Sequence, residues 1–252
     1  NLSGQKRSLC SGCIATPSGH PITTTIIMLS MRDNRSGGIA LICGAISGII
    51  TMILHPVSGG GGHVVTAAQF EKLAALLTGV HVLAIIGIPF LFLGALALSR
   101  HLEMGSRLAL AGLVIYSLGL VAVMIAPAIS GLVGTGVLRK MVAHDPGSDQ
   151  WRLLMEYNFL INQAFAKIFV VASCAAIAIW SFLMVKGRRV SIALGVYGLL
   201  LAPVIVMPMM SGSLSLDAHG FGLVVFSQAI WLIIAGILLI RTNVALQPVA
   251  HG

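Results

Sequence analysis

Charge is what this sequence has least of. Lys and Arg number 15 and Asp and Glu only 7, together 9% of the 252 residues, where soluble domains carry roughly 25%. So few charges cannot cover a soluble globule with hydrated surface, which excludes the ordinary soluble enzyme or binding module. Metal and nucleotide signatures are missing too. There are 8 histidines but no H-x-x-x-H or H-E-x-x-H, and no nucleotide-binding motif occurs. Four cysteines do not make a disulfide scaffold. Cys43 and Cys174 lie inside apolar runs, where a free thiol packs as a small hydrophobe. Cys10 and Cys13 form one C-x-x-C without a second pair, which is weak support for zinc or redox work. The net charge of +8 does not signal nucleic acid, because the basic residues sit at the ends of apolar runs and not in a stripe with interleaved aromatics.

What remains is apolar: 57% of the residues are hydrophobic, in repeated runs near the length that crosses a bilayer. The fold class expected is all-α: a polytopic integral membrane protein with six transmembrane helices, in the inner membrane of a bacterium. The spans fall at about 39–57, 79–99, 108–131, 157–185, 190–210 and 221–240, making 39–241 one transmembrane domain. Residues 1–38 read as a disordered or leader-like basic segment, and 242–252 as a tail. Met28 and Met31 offer alternative starts, so residues 1–27 read as an upstream extension or a processed leader. Recovery of a native peptide covering Cys10 to His20 by mass spectrometry would contradict that.

Orientation follows from the basic residues. With the N-terminus inside, that side collects Arg32, Arg35, Arg100, Arg107, Lys186, Arg188, Arg189 and Arg241. The other side has Lys72, Arg139, Lys140, Arg152 and Lys167, with most of the acids. N-in, C-in is the expectation. Among the outer loops, Ser58 to Gly62 is a flexible glycine link. Thr66 to Leu77 has the capping residue and apolar face of a short amphipathic surface helix. A turn is expected at Asp145-Pro146-Gly147.

The run Ile39 to Val57 organises the rest. At about 100° per residue, Ala40, Gly44, Gly48, Thr51 and His55 share one sector, and a stripe of small side chains lets another helix approach closely in lipid. His55 is therefore expected to face a neighbouring helix. Counting depth at about 1.5 Å per residue across a core of about 30 Å, His55, His81, His219 and Lys167 reach one level near the outer boundary, with Asp217 beside His219. Span four places Arg152, Glu156, Gln163, Lys167 and Cys174 on one side and Asn158 and Asn162 on the other. Ionisable groups at such depth usually face a bundle interior or a water-filled cavity. Gln228 is placed to face the same space.

These residues predict an outer-facing polar pocket that binds a small ligand or cofactor, with His55, His81, His219, Asn162 and Lys167 as the binding set. An accessory or binding subunit is one reading, since the glycine faces (Gly44/Gly48, Gly87/Gly94, Gly112/Gly119, Gly195/Gly198) could dock other membrane subunits. Its partners would be the lipid bilayer and those subunits, with no nucleic acid. An imidazole on a membrane helix can also ligate haem or a chlorophyll-type pigment axially. A second reading is a metal site, Cu or Zn, in a metal-handling protein or metal-dependent hydrolase. His55, His81, His219 and Asp217 would be its ligands, and Met52, Met124, Met141, Met155 and Met207 to Met210 would lend soft sulfur. A third is a small-solute transporter, suggested by Pro203 and Pro208, though no internal repeat is visible.

Overall fold

The structure, a computed structural model, describes residues 21–56, 67–102, 106–144, 149–187 and 191–242. These residues are helical almost throughout: α1 (Pro21–Leu54), α2 (Ala67–His101), α3 (Arg107–Pro127), a π-helical segment (Ala128–Val133), α4 (Gly134–His144), α5 (Asp149–Gly187), α6 (Ile192–Met210) and α7 (Ala218–Thr242). Six stretches are long and apolar enough to cross a membrane, with α3, the π segment and α4 forming one of them. That is the pattern of an integral membrane protein. With no water in the bilayer core, each span must satisfy its backbone internally, and helices do so.

Three elements differ from the sequence expectation. The expected surface helix is not a separate element: Ala67 to Leu77 form the first turns of α2. The third span does not stop at Gly131 but runs through the π segment into α4 and ends at His144. Helix α1 begins at Pro21, inside the segment expected to be leader-like, while its membrane-length portion is Asn34–Leu54. The C-x-x-C, the Ser58 to Gly62 link, the Asp145 turn and the tail beyond Thr242 lie outside the described residues.

The helices close into a ring. Each span packs on the next, α1 on α2, α2 on α3, α3 on α5, α5 on α6 and α6 on α7, and α7 returns to α1. Contact between α6 and α7 is slight compared with that of α6 on α5. Helix α5 has 39 residues, about 58 Å at 1.5 Å per residue, so it continues well past a hydrocarbon layer of about 30 Å. Its first turns project at the end of the bundle that carries His55. There α4 meets α2 through an ion pair, Arg139 Nη2 to Glu71 Oε2 at 3.2 Å.

The glycine faces are spent inside this ring. A Cβ on Gly44 would lie 2.7 Å from Leu91 of α2, and one on Gly94 would lie 2.7 Å from the backbone of Leu41. Gly38 and Gly236 face each other where α1 crosses α7, each within 2.7 Å of the other's carbonyl oxygen if a Cβ is added. Gly112 receives the Trp180 ring, and Gly195 and Gly198 receive Ser181 and its neighbours. Two of these glycines matter below: Gly48, the loosely packed one, has only Val225 Cγ1 nearby, at 3.5 Å, whereas Gly131 receives the ring of His81 at close range.

At the end opposite His55 the interior is solid. Tyr116, Trp180 and Trp231 are fully buried among Leu41, Leu98 and Leu239. Trp180 stacks on Trp231 with centroids 6.2 Å apart and meets Tyr116 edge-on at 5.2 Å. A second cluster from α5, α6 and α7, including Val170, Cys174 and Val224, seals the side of the ring. Towards the His55 end the packing opens.

Candidate functional site

The opening is built by an irregularity in the third span. Pro127 has no N–H to donate to the carbonyl four residues back, and the helix beyond it shifts to a wider register. The N–H of Gly134 donates to Ile129 O, five residues back. Carbonyls loosened in this way are collected by side chains. Thr135 Oγ1 donates to Gly131 O at 2.6 Å, Thr78 Oγ1 of α2 reaches the same oxygen at 3.3 Å, and Asn158 Nδ2 of α5 reaches Ile129 O at 3.3 Å. The π segment is thus tied to α2 on one side and α5 on the other. Because Gly131 has no side chain, the His81 ring lies directly against its backbone.

His81 is buried within α2. Its Nδ1 is 2.6 Å from Leu77 O. A carbonyl oxygen only accepts, so Nδ1 carries the proton, and in the neutral ring Nε2 is left with its lone pair. His55 follows the last residue of α1, and its ring meets that of His81 edge-on with centroids 5.2 Å apart. His55 Nδ1 is buried with no hydrogen-bond partner among the described residues. Two hydroxyls fix α1 against α2 just below: Ser47 Oγ donates to Leu83 O at 3.0 Å, and Thr51 Oγ1 bonds Ser47 O and Val80 O.

Both imidazoles open on a cavity of about 380 Å³, within the 300–1,000 Å³ range of small-molecule sites. Its polar wall is His55, His81, Thr51, Ser130, Asn162 and Gln163, and Asp217 stands where the α6–α7 connection closes over it. Gln163 Nε2 donates to Leu216 O at 2.9 Å, which pins that connection to α5. Among the described residues no Lys or Arg lines this space.

The sequence-derived set is therefore split. His55, His81 and Asn162 share the cavity with Asp217, whereas His219 and Lys167 are exposed and do not line it. Glu156 is exposed too. The inward face of α5 runs through Asn158, Asn162, Gln163 and Ala166, so it cuts across the two faces drawn from the helical wheel. Among the described residues no three His, Cys, Asp or Glu side chains come together as a metal-binding group, so His55, His81, His219 and Asp217 do not assemble into one. The methionines scatter as well. Met52 lines the cavity, Met209 is core, and Met124, Met207 and Met210 are exposed.

The chain matches no family model, no curated protein and no solved structure. The chemistry must therefore be read from the cavity. A neutral imidazole with one nitrogen fixed as donor and the other free can accept a proton or a hydrogen bond, or ligate a metal centre carried by a bound group. The amides of Asn162 and Gln163 supply donors and acceptors. The arrangement offers hydrogen-bond donors and acceptors to a small polar group; it holds no nucleophile paired with a base among the described residues.

Asp217 is committed to structure. Oδ1 accepts from the N–H groups of His219 and Gly220 at 3.0 and 2.9 Å, and Oδ2 accepts from Ser215 Oγ at 2.9 Å. This is an N-cap on α7. The bonds from Gly220 and Ser215 are the main reasons its carboxyl is held below the usual carboxylate value. A folded-state value below the unfolded one contributes stability above the unfolded value of about 3.9, and that contribution fades as pH falls through the folded value. The protection of the His219 and Gly220 amides, their exchange rate relative to the intrinsic rate at each pH, is expected to fall below about pH 4, and Asp217→Asn should show low protection without that step. Protection in the natural chain that stays constant through acid would contradict the cap.

Proposed function

We propose that this chain is a six-span membrane protein, N-in and C-in, that binds a small uncharged ligand in the cavity at the His55 end, with His81 as the orienting acceptor. The observation that carries the proposal is the His55–His81 pair, set edge-on at 5.2 Å on a 380 Å³ cavity between five helices. A buried imidazole with a fixed tautomer is held in position before any ligand arrives, which lowers the ordering cost of binding. The lack of Lys or Arg among the described residues of the wall leaves an anionic group no countercharge, which favours a neutral one. Orientation rests on the cation excess at the opposite end of the spans.

Docking of further membrane subunits loses its main support, because the glycine faces that suggested it are used within the ring. The metal reading has two imidazoles and the thioether of Met52 at the cavity but no third His, Cys, Asp or Glu beside them among the described residues.

The test is recovery of bound compound. Protein isolated in mild detergent from its native membrane is extracted with solvent, and the extract is compared by mass spectrometry across variants. His81→Ala and His55→Ala should each lower the recovered compound at least tenfold, and His101→Ala should leave it unchanged. Equal recovery from all three would sink the proposal. Stoichiometric copper or zinc in the same preparation would favour the metal reading.

A further inference from the structure

Below the His55–His81 cavity lies a second, smaller one. The two share wall residues Thr51, Met52, Ala84, Val123 and Phe221, so the chambers adjoin, with these side chains at the boundary that a ligand chain would cross. The inner chamber measures about 100 Å³. Gly48 and Ala84 leave room on the α1 and α2 sides, and Met52, Phe169, Phe221, Leu91 and Leu232 form the rest of the apolar wall. An apolar cavity of about 150 Å³ holds benzene, so this one has room for a few carbons of an aliphatic chain.

Three polar side chains stand in that largely apolar wall, Thr51, whose hydroxyl is bonded to Ser47 O and Val80 O, Tyr116 and Gln228. Gln228 of α7 is buried to 3% exposure and lines the inner chamber. Its amide orientation is fixed by its neighbours. Ser173 Oγ donates its proton to Val170 O at 3.2 Å, so it must accept from Gln228 Nε2, 2.8 Å away. Nε2 also reaches Cys174 Sγ at 3.4 Å. The amide nitrogen is thus turned into α5 and spends its donors there.

We infer that the ligand is a neutral, hydroxyl-headed, single-chain amphiphile, its head and the first part of its chain in the outer cavity and only the last few carbons in the inner chamber. This rests on the outer cavity being a binding site and goes on to name the class of ligand. A hydroxyl is the group that complements His81, whose Nδ1 is already spent on Leu77 O and whose Nε2 accepts. A phosphate or carboxylate head finds no Lys or Arg among the described residues of the wall, and removing such a charge from water without a partner is costly. A single chain matches the narrow inner volume. Gly48 controls that volume: a methyl there meets only Val225 Cγ1, at ordinary contact distance, whereas a larger side chain would enter the chamber.

The experiment uses the full chain in phosphatidylcholine nanodiscs on a Trp151→Phe background, leaving Trp180 and Trp231 as reporters. Both are fully buried, and bromine quenches tryptophan only at short range. The probe is 1-decanoylglycerol brominated at the end of its chain, with the matching brominated decanoate as the anionic comparator. Quenching by the acylglycerol should saturate with mole fraction, and decanoate should bind at least fivefold more weakly. Gly136→Ala, outside both chambers, should keep the saturable phase, and Gly48→Leu should abolish it. If Gly48→Leu does not fold, Ala84→Leu fills the same space. Quenching that rises linearly without saturation, or a saturable phase untouched by the filling variants, would overturn the inference. The imidazole nitrogen resonances of His81 are recorded in the same titration. A His81 response without saturable quenching removes the inner chamber from the account and leaves the outer site standing; silence in both removes both.

Discussion

Replacing Gly131 with valine is expected to abolish ligand binding and to destabilise the protein by about 2–3 kcal/mol, the upper part of the range for overpacking a filled site. The cause is local. A Cβ at this position runs into Cβ and Cγ of His81, and the ring has nowhere simple to retreat. On its other side it is fixed by the bond from Nδ1 to Leu77 O and by the edge of His55. The Gly131 carbonyl is itself held by Thr78 and Thr135, so the backbone does not yield freely either. Displacing His81 removes the accepting nitrogen from the cavity. Gly136→Ala, one turn further along, is the control, because a Cβ there meets nothing within 4 Å and alanine is the better helix former by about 1 kcal/mol. Reversible unfolding in mixed micelles together with ligand recovery measures both effects. Wild-type binding by Gly131→Val would show that the His81 position does not matter.

The second large effect is expected at Trp180. Its ring is fully buried, stacked on Trp231, edge-on to Tyr116 and seated against Gly112. In water, Trp→Ala in a core costs about 3–5 kcal/mol, as a transfer cost plus a cavity cost. Within a bilayer the transfer part shrinks, because the lipid is as apolar as the core. The lost contact with neighbouring atoms remains. Trp180→Ala should therefore sit near the low end, about 3 kcal/mol, with the loss spread over α3, α5 and α7. Trp180→Phe should recover about half of it. A change below 1 kcal/mol for the alanine variant would mean that the aromatic stack does not hold the closed end of the ring together.

The sequence carried the class of fold clearly, because runs of about 20 apolar residues bounded by Arg and Lys have few other solutions. It also placed His55 on the sector with Gly44, Gly48 and Thr51, and the structure puts His55 and Thr51 on the cavity wall. What it lost lies around Pro127. The stretch Ser130 to Gly136 holds three glycines, which in a soluble helix would mark an end. In a membrane span, glycine and proline are tolerated because neighbouring side chains take up the freed backbone groups, here Thr78, Thr135 and Asn158. Pro127 followed by glycine and threonine was the available signal for the irregular turn. The polar faces of α5 went astray for a different reason. A wheel groups side chains by angle alone, and only the placement of α3 and α7 decides which angle is inward. Asn162 and Gln163, adjacent in sequence, both reach the cavity while Lys167, one turn on, does not.

The wide turn at Ala128–Val133 has a consequence for heredity. Such a turn holds one more residue than the regular coil would need, so losing a single codon there would let the rod rewind into ordinary pitch without breaking it. Everything downstream would then keep its place, Arg139 on Glu71 and Thr135 beside Thr78, while Ala128–Val133 alone would rewind. Fine tuning at this locus is thus open to gain or loss of chain length, a kind of variation that usually ruins a buried rod and here would reset the pocket's shape.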